Sequence, residues 1–266
     1  METIKLYWTY IRLFYKSRSE YQSSFFAGMF ANFFGLFLWY TSFWLITKKF
    51  HTIGSWDFDE LNLLFSLTTL TFAISGVIYW YSMFSLGTKI TTGELDRYLL
   101  RPIGILPQLV CNNFGYTFVA QFPIVLLFLC FCLVKLSARF TVLSWLYLIY
   151  ATFGSIMLQC GMNIIVGALS FWLLRSSEIG QIVLFDTRWA THYPINIYPR
   201  IFQIILSTII PWAFANYYPC VLVLDKAKNN LETFLGLIAP VVGILVFWGA
   251  LILFKIGLKR YTSVGN

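Results

Sequence analysis

Six long runs without a charged residue dominate this sequence and constrain its fold more than any other feature. Each run exceeds 20 residues, and a helix needs about 20 apolar residues to cross a bilayer. Only 11% of the residues are charged, against about 25% in soluble domains, so the chain has too few charges for a water-facing surface. We therefore predict an all-α membrane protein with six transmembrane helices in a single domain, 1–266. The predicted spans lie at about 22–47, 61–87, 112–134, 141–172, 201–224 and 233–254.

Basic residues alternate in density between the connections of these spans. Thirteen of the 19 Lys and Arg residues lie before the first span, between the second and third, between the fourth and fifth, and after the sixth. Short cytoplasmic segments are enriched in Lys and Arg, so both termini are predicted to be cytoplasmic. The net charge of +8 then reflects orientation and contact with anionic lipids, and no nucleic-acid partner is predicted.

The first 20 residues predict an amphipathic helix at the membrane surface. Lys5, Arg12 and Lys16 fall on one stripe of a helix, and Trp8 belongs to the opposite, apolar arc. The cations would face lipid headgroups while the apolar arc enters the interface. A soluble surface helix is the alternative, but its aromatic side chains would be costly in water.

The charged segment TTGELDRYLLRPIGILPQ, at 91–108, lies between the second and third spans. Thr91 and Glu94 match a T-x-x-E capping box, which starts a helix, and Pro102 would end that helix near Arg101. One face would carry three apolar side chains, Leu95, Tyr98 and Leu99. The pattern therefore predicts a short amphipathic helix in a cytoplasmic loop. From the pattern alone, it docks either on the membrane surface or in a protein partner.

The fifth predicted span contains two prolines and the sequence NYYP. A break near Pro211 or Pro219, beside Tyr218, would free backbone groups that lipid cannot satisfy. We interpret this region as a broken or re-entrant element at the outer leaflet. An ordinary proline-kinked helix is the alternative.

The predicted spans contain no Asp, Glu, Lys, Arg or His, whereas ion-coupled transporters usually need such groups inside the membrane. The sequence also lacks G-x-x-x-x-G-K-[ST], the loop that binds ATP phosphates. No metal site is predicted, because the five cysteines and two histidines are not clustered. Asp186, Arg188 and His192 lie close together in sequence and could serve a membrane transferase. A solvated loop with mixed charges is favoured for them, so no catalytic residue is predicted.

The sequence GELDRYLLRPIG after the second span, together with YPINIYP and IIPWAFANYYP, resembles the permease family of ABC-2 type exporters, especially its bacterial branch. The resemblance implies a subunit of the bacterial cytoplasmic membrane that has no ATPase of its own. Two such permeases would pair with two ATP-binding subunits, which hold ATP and Mg²⁺. The resemblance also implies short re-entrant helices before the last span, in the region of Pro211, Tyr218 and Pro219.

In this family the loop helix after the second span is a coupling helix that sits in a groove of the ATPase. The corresponding interface residues here would be Gly93, Glu94, Leu95, Asp96, Arg97, Tyr98 and Arg101. The resemblance thus favours the protein groove over the membrane surface for this helix.

The predicted function is the permease subunit of an ATP-driven exporter. Its substrate would be amphipathic or hydrophobic (a peptide, a drug or a lipid), moving between two permeases along aromatic and Ser/Thr residues of spans one, two and five. A gradient-driven channel or secondary carrier is the alternative, and a membrane-embedded transferase is a weaker one.

Overall fold

The computed structural model describes residues 22–50, 52–101, 103–173, 178 and 180–263. The predicted surface helix at 1–20 lies outside these residues, so the roles of Lys5, Trp8, Arg12 and Lys16 stay predictions. The described chain is helical apart from one small hairpin, whose strands Thr52–Ile53 (β1) and Trp56–Asp57 (β2) pair antiparallel. The prediction of an all-α membrane protein is confirmed.

Five helices in the described residues are long and apolar enough to cross a membrane. At 1.5 Å per residue, even 24 residues reach about 36 Å, more than a hydrocarbon core of about 30 Å. These helices are Gln22–Phe50 (α1), Phe58–Thr91 (α2), Tyr116–Arg139 (α5), Val142–Leu169 (α6) and Asn230–Arg260 (α10). The shorter helices are Asp96–Leu99 (α3), Ile105–Asn112 (α4), 181–190 (α7), Arg200–Thr208 (α8) and Trp212–Val223 (α9).

The long helices form one bundle with two distinct ends. The hairpin end carries β1 and β2, and the loop end carries 91–108. The carboxylate of Glu60, which is 2% exposed, joins three connections at the hairpin end. It accepts a hydrogen bond from the backbone N–H of Asp57 at 2.7 Å and binds Arg139 at 3.0 Å and Lys226 at 2.5 Å. The α1–α2, α5–α6 and α9–α10 connections therefore meet at one buried charge.

The predicted fifth span, 201–224, is wrong as a single crossing. It forms α8 and α9, which are bent by 75° at the break before Trp212. Lys226, just after α9, donates to the carbonyl of Ser55 in the hairpin at 2.6 Å. Asn196, just before α8, donates to the carbonyl of Gly54 at 3.4 Å. Both ends of the α8–α9 pair therefore lie at the hairpin end, so the pair enters the bundle and returns.

The segment 180–196 crosses the bundle instead, although the sequence suggested a solvated loop there. Its contacts follow α2 in the reverse direction, from the loop end to the hairpin end. In order, Gly180 lies against Phe84, Arg188 lies over Phe72, and Asn196 reaches Gly54. The described chain thus crosses the bundle six times, and α1 begins and α10 ends at the loop end.

This path of the chain also changes how the basic residues are distributed between the loop end and the hairpin end. Arg200 moves to the hairpin end and Arg188 lies inside the bundle, whereas both had been assigned to a cytoplasmic loop. In the sequence, eleven Lys and Arg residues then fall in segments predicted on the side of the loop end, and seven in segments predicted on the side of the hairpin end. Basic residues remain in excess on the side of the loop end, so the loop end remains the predicted cytoplasmic side.

A close contact between α6 and α10 holds the centre of the bundle. A Cβ atom added to Gly243 would overlap the carbonyl oxygen of Gly154, and one added to Gly161 would lie 2.9 Å from the Cα of Phe247. Such small residues let membrane helices approach closely enough for backbone contact. Gly161 and Gly167 both lie inside one continuous helix, α6.

One turn of α2 departs from α-helical geometry. Gly76–Trp80 forms a π-helical turn, which holds one residue more than an α turn. The carbonyl of Val77 in this turn accepts a hydrogen bond from the backbone N–H of Gly115 at 2.9 Å. The turn thereby joins α2 to the start of α5.

The α6–α10 contact predicts that Gly243→Ala destabilises the protein by about 2 kcal/mol, since overpacking a close contact forces the backbones apart. Gly249→Ala in the same helix is the matched control, because nothing lies within 4 Å of its added Cβ. Thermal unfolding in detergent measures both. Equal stability of the two variants would contradict the predicted contact.

The re-entrant path predicts the side from which single cysteines react with a membrane-impermeant thiol reagent. In a Cys130→Ser background, Arg200→Cys and Lys228→Cys should label from the same side of intact cells as Thr52→Cys. Thr92→Cys, at the loop end, should label only in inverted vesicles. All four native side chains are exposed. Labelling of Arg200→Cys together with Thr92→Cys would restore 201–224 as a crossing helix.

Candidate functional site

The loop at 91–108 begins differently from the prediction. Thr91 is the last residue of α2 and its hydroxyl donates to the carbonyls of Gly87 and Thr88, at 3.2 and 3.0 Å. Gly93, with a φ of +70°, then ends α2 in a left-handed conformation that favours glycine. The predicted capping box of Thr91 and Glu94 is therefore wrong, and α3 begins at Asp96.

The short helix α3 is held against the bundle by apolar side chains. Leu95 and Tyr98 are buried in a cluster with Met83, Leu86 and Ile105. Leu99, predicted on the same face, is half exposed. The amide of Gln108 adds two hydrogen bonds, to the carbonyls of Tyr98 at 3.1 Å and Ile103 at 2.6 Å. The loop is thus a docked, hydrogen-bonded structure rather than a free surface helix.

Both acidic side chains of the loop contact their own chain. Glu94 pairs with Lys89 at 3.7 Å. Asp96 accepts hydrogen bonds from Tyr261 at 3.0 Å and Ser263 at 2.6 Å, just beyond α10. These carboxylates therefore fix the loop to α2 and to the end of α10.

The side of the loop that faces away from the bundle is basic and apolar. Leu100 is 87% exposed, and Arg97, Leu99 and Arg101 are also exposed. A cavity of about 240 Å³ lies beside Tyr98, between Glu94, Arg97 and Arg101. Two cations and two leucines thus form the outward surface, which we call the docking face (Arg97, Leu99, Leu100 and Arg101).

A larger cavity, about 380 Å³, lies within the bundle between α1, α2, the start of α5 and 188–192. Large aromatic side chains form much of its wall. They are Trp39, Phe65, Phe72, Trp80, Tyr81, Phe118 and Trp189. The cavity opens on the side of the bundle where Trp39 and Tyr81 are exposed. We call it the aromatic cavity.

Arg188 and His192 line this cavity and are each 3% exposed. The guanidinium carbon of Arg188 lies 3.4 Å from the centre of the Phe72 ring, a cation–π contact. The ring of His192 lies 4.4 Å from that of Phe65. The prediction of a solvated loop is wrong for both residues, because the segment that holds them packs along α2.

Asp186 does not join this pair. Its side chain is exposed and is not among the lining residues of the cavity, so the structure does not assemble the Asp186, Arg188 and His192 cluster considered for a transferase. The predicted spans contain no ionisable residue, but the bundle does, because Arg188 is buried beside the middle of α2.

The tip of the α8–α9 pair is anchored by polar groups in the middle of the bundle. Asn216, fully buried, donates to Thr68 and to the carbonyl of Thr191, and accepts from the backbone of Tyr217 at 2.6 Å. Ser155 donates to the carbonyl of Ala215 at 2.5 Å. Backbone groups freed by the bend are thus satisfied within protein, as the interior of a membrane requires.

The residues predicted at the outer break differ in position. Pro211 lies at the bend between α8 and α9. Pro219 lies inside α9, near the start of a regular helical stretch, and does not break it. The hydroxyl of Tyr218 forms a hydrogen bond with that of Ser207 at 2.8 Å and so links α9 to α8.

The buried position of Asn216 predicts that Asn216→Ala destabilises the protein by about 2 kcal/mol, because it leaves buried partners without a hydrogen bond. Asn196→Ala is the control, since the hydrogen bond that its side chain donates to the carbonyl of Gly54 is long and exposed. Thermal unfolding in detergent compares the stabilities of the two variants. A larger loss for Asn196→Ala would contradict the assigned anchor.

Comparison with known proteins gives one result that covers nearly the whole described chain. The family model described as ABC-2 family transporter protein matches residues 28–265. The matched region includes the aromatic cavity, the α8–α9 pair and the docking face. Neither the curated proteins nor the solved structures contain a match to the chain.

Proposed function

The chain belongs to the ABC-2 family of transporter proteins, and on that basis we propose that it is the permease subunit of an ATP-driven exporter. Hydrolysis of ATP, with Mg²⁺, takes place on separate ATP-binding subunits, consistent with a sequence that has no phosphate-binding loop. Two permeases, identical or homologous, assemble with two such subunits in the bacterial cytoplasmic membrane. The family match over 28–265 carries this proposal.

The docking face is the proposed contact with the ATP-binding subunit. Its exposed leucines can bury apolar area in a groove of the partner, and its arginines favour an acidic rim. Leu95 and Tyr98, on the opposite side of the loop, pack into the bundle. A displacement imposed on the docking face would therefore be transmitted to α2 and α10.

This arrangement refines the interface that the resemblance implied. Glu94 and Asp96 contribute by holding the loop in shape, because their carboxylates already contact Lys89, Tyr261 and Ser263. Direct contact with the partner then falls mainly to the docking face. Gly93 contributes the left-handed turn that ends α2.

The aromatic cavity is the proposed part of the substrate route within one permease. It lies between α1, α2 and the segment 180–196, the three elements that cross the bundle as first, second and fifth. The neighbouring surface of α1 exposes large aromatic side chains, among them Phe30, Phe34 and Phe37. A second permease on this surface would close the open side of the cavity and leave the route between two subunits.

The docking face predicts that Arg97→Glu combined with Leu100→Asp weakens association with the ATP-binding subunit at least about 30-fold, as loss of a central contact of 2 kcal/mol would. Co-purification with the ATPase encoded beside this gene measures association, and ATP-dependent export from cells measures function. Association with the ATPase and ATP-dependent export should decrease together.

Lys228→Glu combined with Val142→Asp is the matched control, because it makes the same charge changes at exposed positions of the hairpin end. The control should leave association unchanged. Normal association and export by the Arg97 and Leu100 variant would contradict the docking face. Export that persists without any ATPase would instead favour the gradient-driven carrier.

A further inference from the structure

We propose that the aromatic cavity selects amphipathic anions, with Arg188 binding the acidic group and the aromatic walls binding the apolar part. The inference rests on the proposed transport function and narrows its substrate class. The acidic group is a carboxylate or a phosphate, and both share the chemistry that a guanidinium recognises.

Arg188 places a charged side chain inside the bundle. Arg188 lies beside the middle of α2 and is almost fully buried, yet it faces the cavity. Charged residues inside a membrane are costly and rare, and they commonly mark the path of a substrate or ion. The lining residues that the structure describes include no Asp or Glu. Asp186, two residues away, is exposed instead. Among the described lining residues, Arg188 is therefore the side chain that offers a permanent positive charge to the contents of the cavity.

The size and wall chemistry of the aromatic cavity suit a small amphipathic ligand. A volume of about 380 Å³ lies within the usual range of small-molecule sites, about 300–1,000 Å³. Trp39, Phe65 and Trp80 line the space around Arg188 and offer flat apolar surfaces. One cation beside large aromatic side chains matches a ligand with one anionic group on an apolar body, and it disfavours cations.

Neutral polar groups from α1, α2 and α5 also line the cavity. Gln121 donates to Asn32 at 3.1 Å, and Tyr81 shares a hydrogen bond with Thr117 at 3.0 Å. All four residues line the cavity. Their hydrogen bonds to one another hold their side chains in place without adding charge, so selection by charge falls to Arg188.

The competing explanation is that Arg188 only stabilises the fold through its contacts, which include those with Phe72 and Trp189. That role would make the residue necessary for stability but would give the cavity no preference for anions. Measuring preference as well as stability therefore separates the two explanations.

The test uses the full permease with its ATP-binding subunit in lipid nanodiscs. Binding of radiolabelled decanoate is measured, with binding to empty nanodiscs subtracted, and is competed by decyl phosphate, decanol, decyltrimethylammonium, acetate and inorganic phosphate. Decanoate and decyl phosphate should bind at least about tenfold more tightly than decanol or the cation, a difference of about 1.4 kcal/mol. Acetate and phosphate should not compete, because they lack the apolar part.

Arg188→Gln should weaken decanoate binding about tenfold and leave decanol binding within about twofold, since only the charge is lost. Arg188→Lys should retain part of the preference. Arg200→Gln, which removes an exposed arginine at the hairpin end, is the matched control and should bind like the native protein.

Equal affinity for the anionic, neutral and cationic decyl compounds would overturn the inference, as would an unchanged preference in Arg188→Gln. Where Arg188→Gln does not fold, the ranking of compounds by the native protein decides alone. Basal ATP hydrolysis by the same nanodiscs tests the proposed function separately, because it needs the coupled ATPase but not the preference for anions.

Discussion

The buried carboxylate of Glu60 determines how the helices are arranged at the hairpin end. Removing a carboxylate from water is costly unless cations and hydrogen-bond donors surround it. Here Arg139, Lys226 and the backbone of Asp57 surround it, and each belongs to a different connection. The requirement to compensate one charge therefore fixes three connections at one place. With Lys226 held there, α9 must end where α8 began, so the α8–α9 pair cannot cross the bundle.

Much of the fold could be predicted from the sequence, because a membrane-spanning helix is recognised by the hydropathy of its whole length. The predicted spans at 22–47, 61–87, 112–134, 141–172 and 233–254 each overlap a long helix of the structure. The fifth span could not be predicted in this way. Asp186, Arg188 and the prolines after His192 made 180–196 look like a loop, whereas 201–224 is long and uncharged. The length of an uncharged run does not show that Asn216 forms hydrogen bonds with buried groups, or that Lys226 is held at the hairpin end.

A local signal for the aromatic cavity was nevertheless present. Leu184, Arg188 and His192 are spaced four residues apart, which places them on one face of a helix, and all three are buried. Asp186 lies on another face and is exposed. In the loop, by contrast, the T-x-x-E pattern was misleading. It overlaps Gly93, and the left-handed turn that glycine permits ended one helix at the point where the pattern predicted a start.

The π-helical turn at Gly76–Trp80 separates two α-helical parts of α2. The segment from Trp80 to Thr91, about 16 Å of helix, joins the turn to the loop that carries α3. Trp80 is at once the last residue of the turn and part of the wall of the aromatic cavity. The extra residue interrupts the regular hydrogen-bond ladder at this point, and such π turns often lie at functional sites, which agrees with the position of Trp80 in the cavity wall.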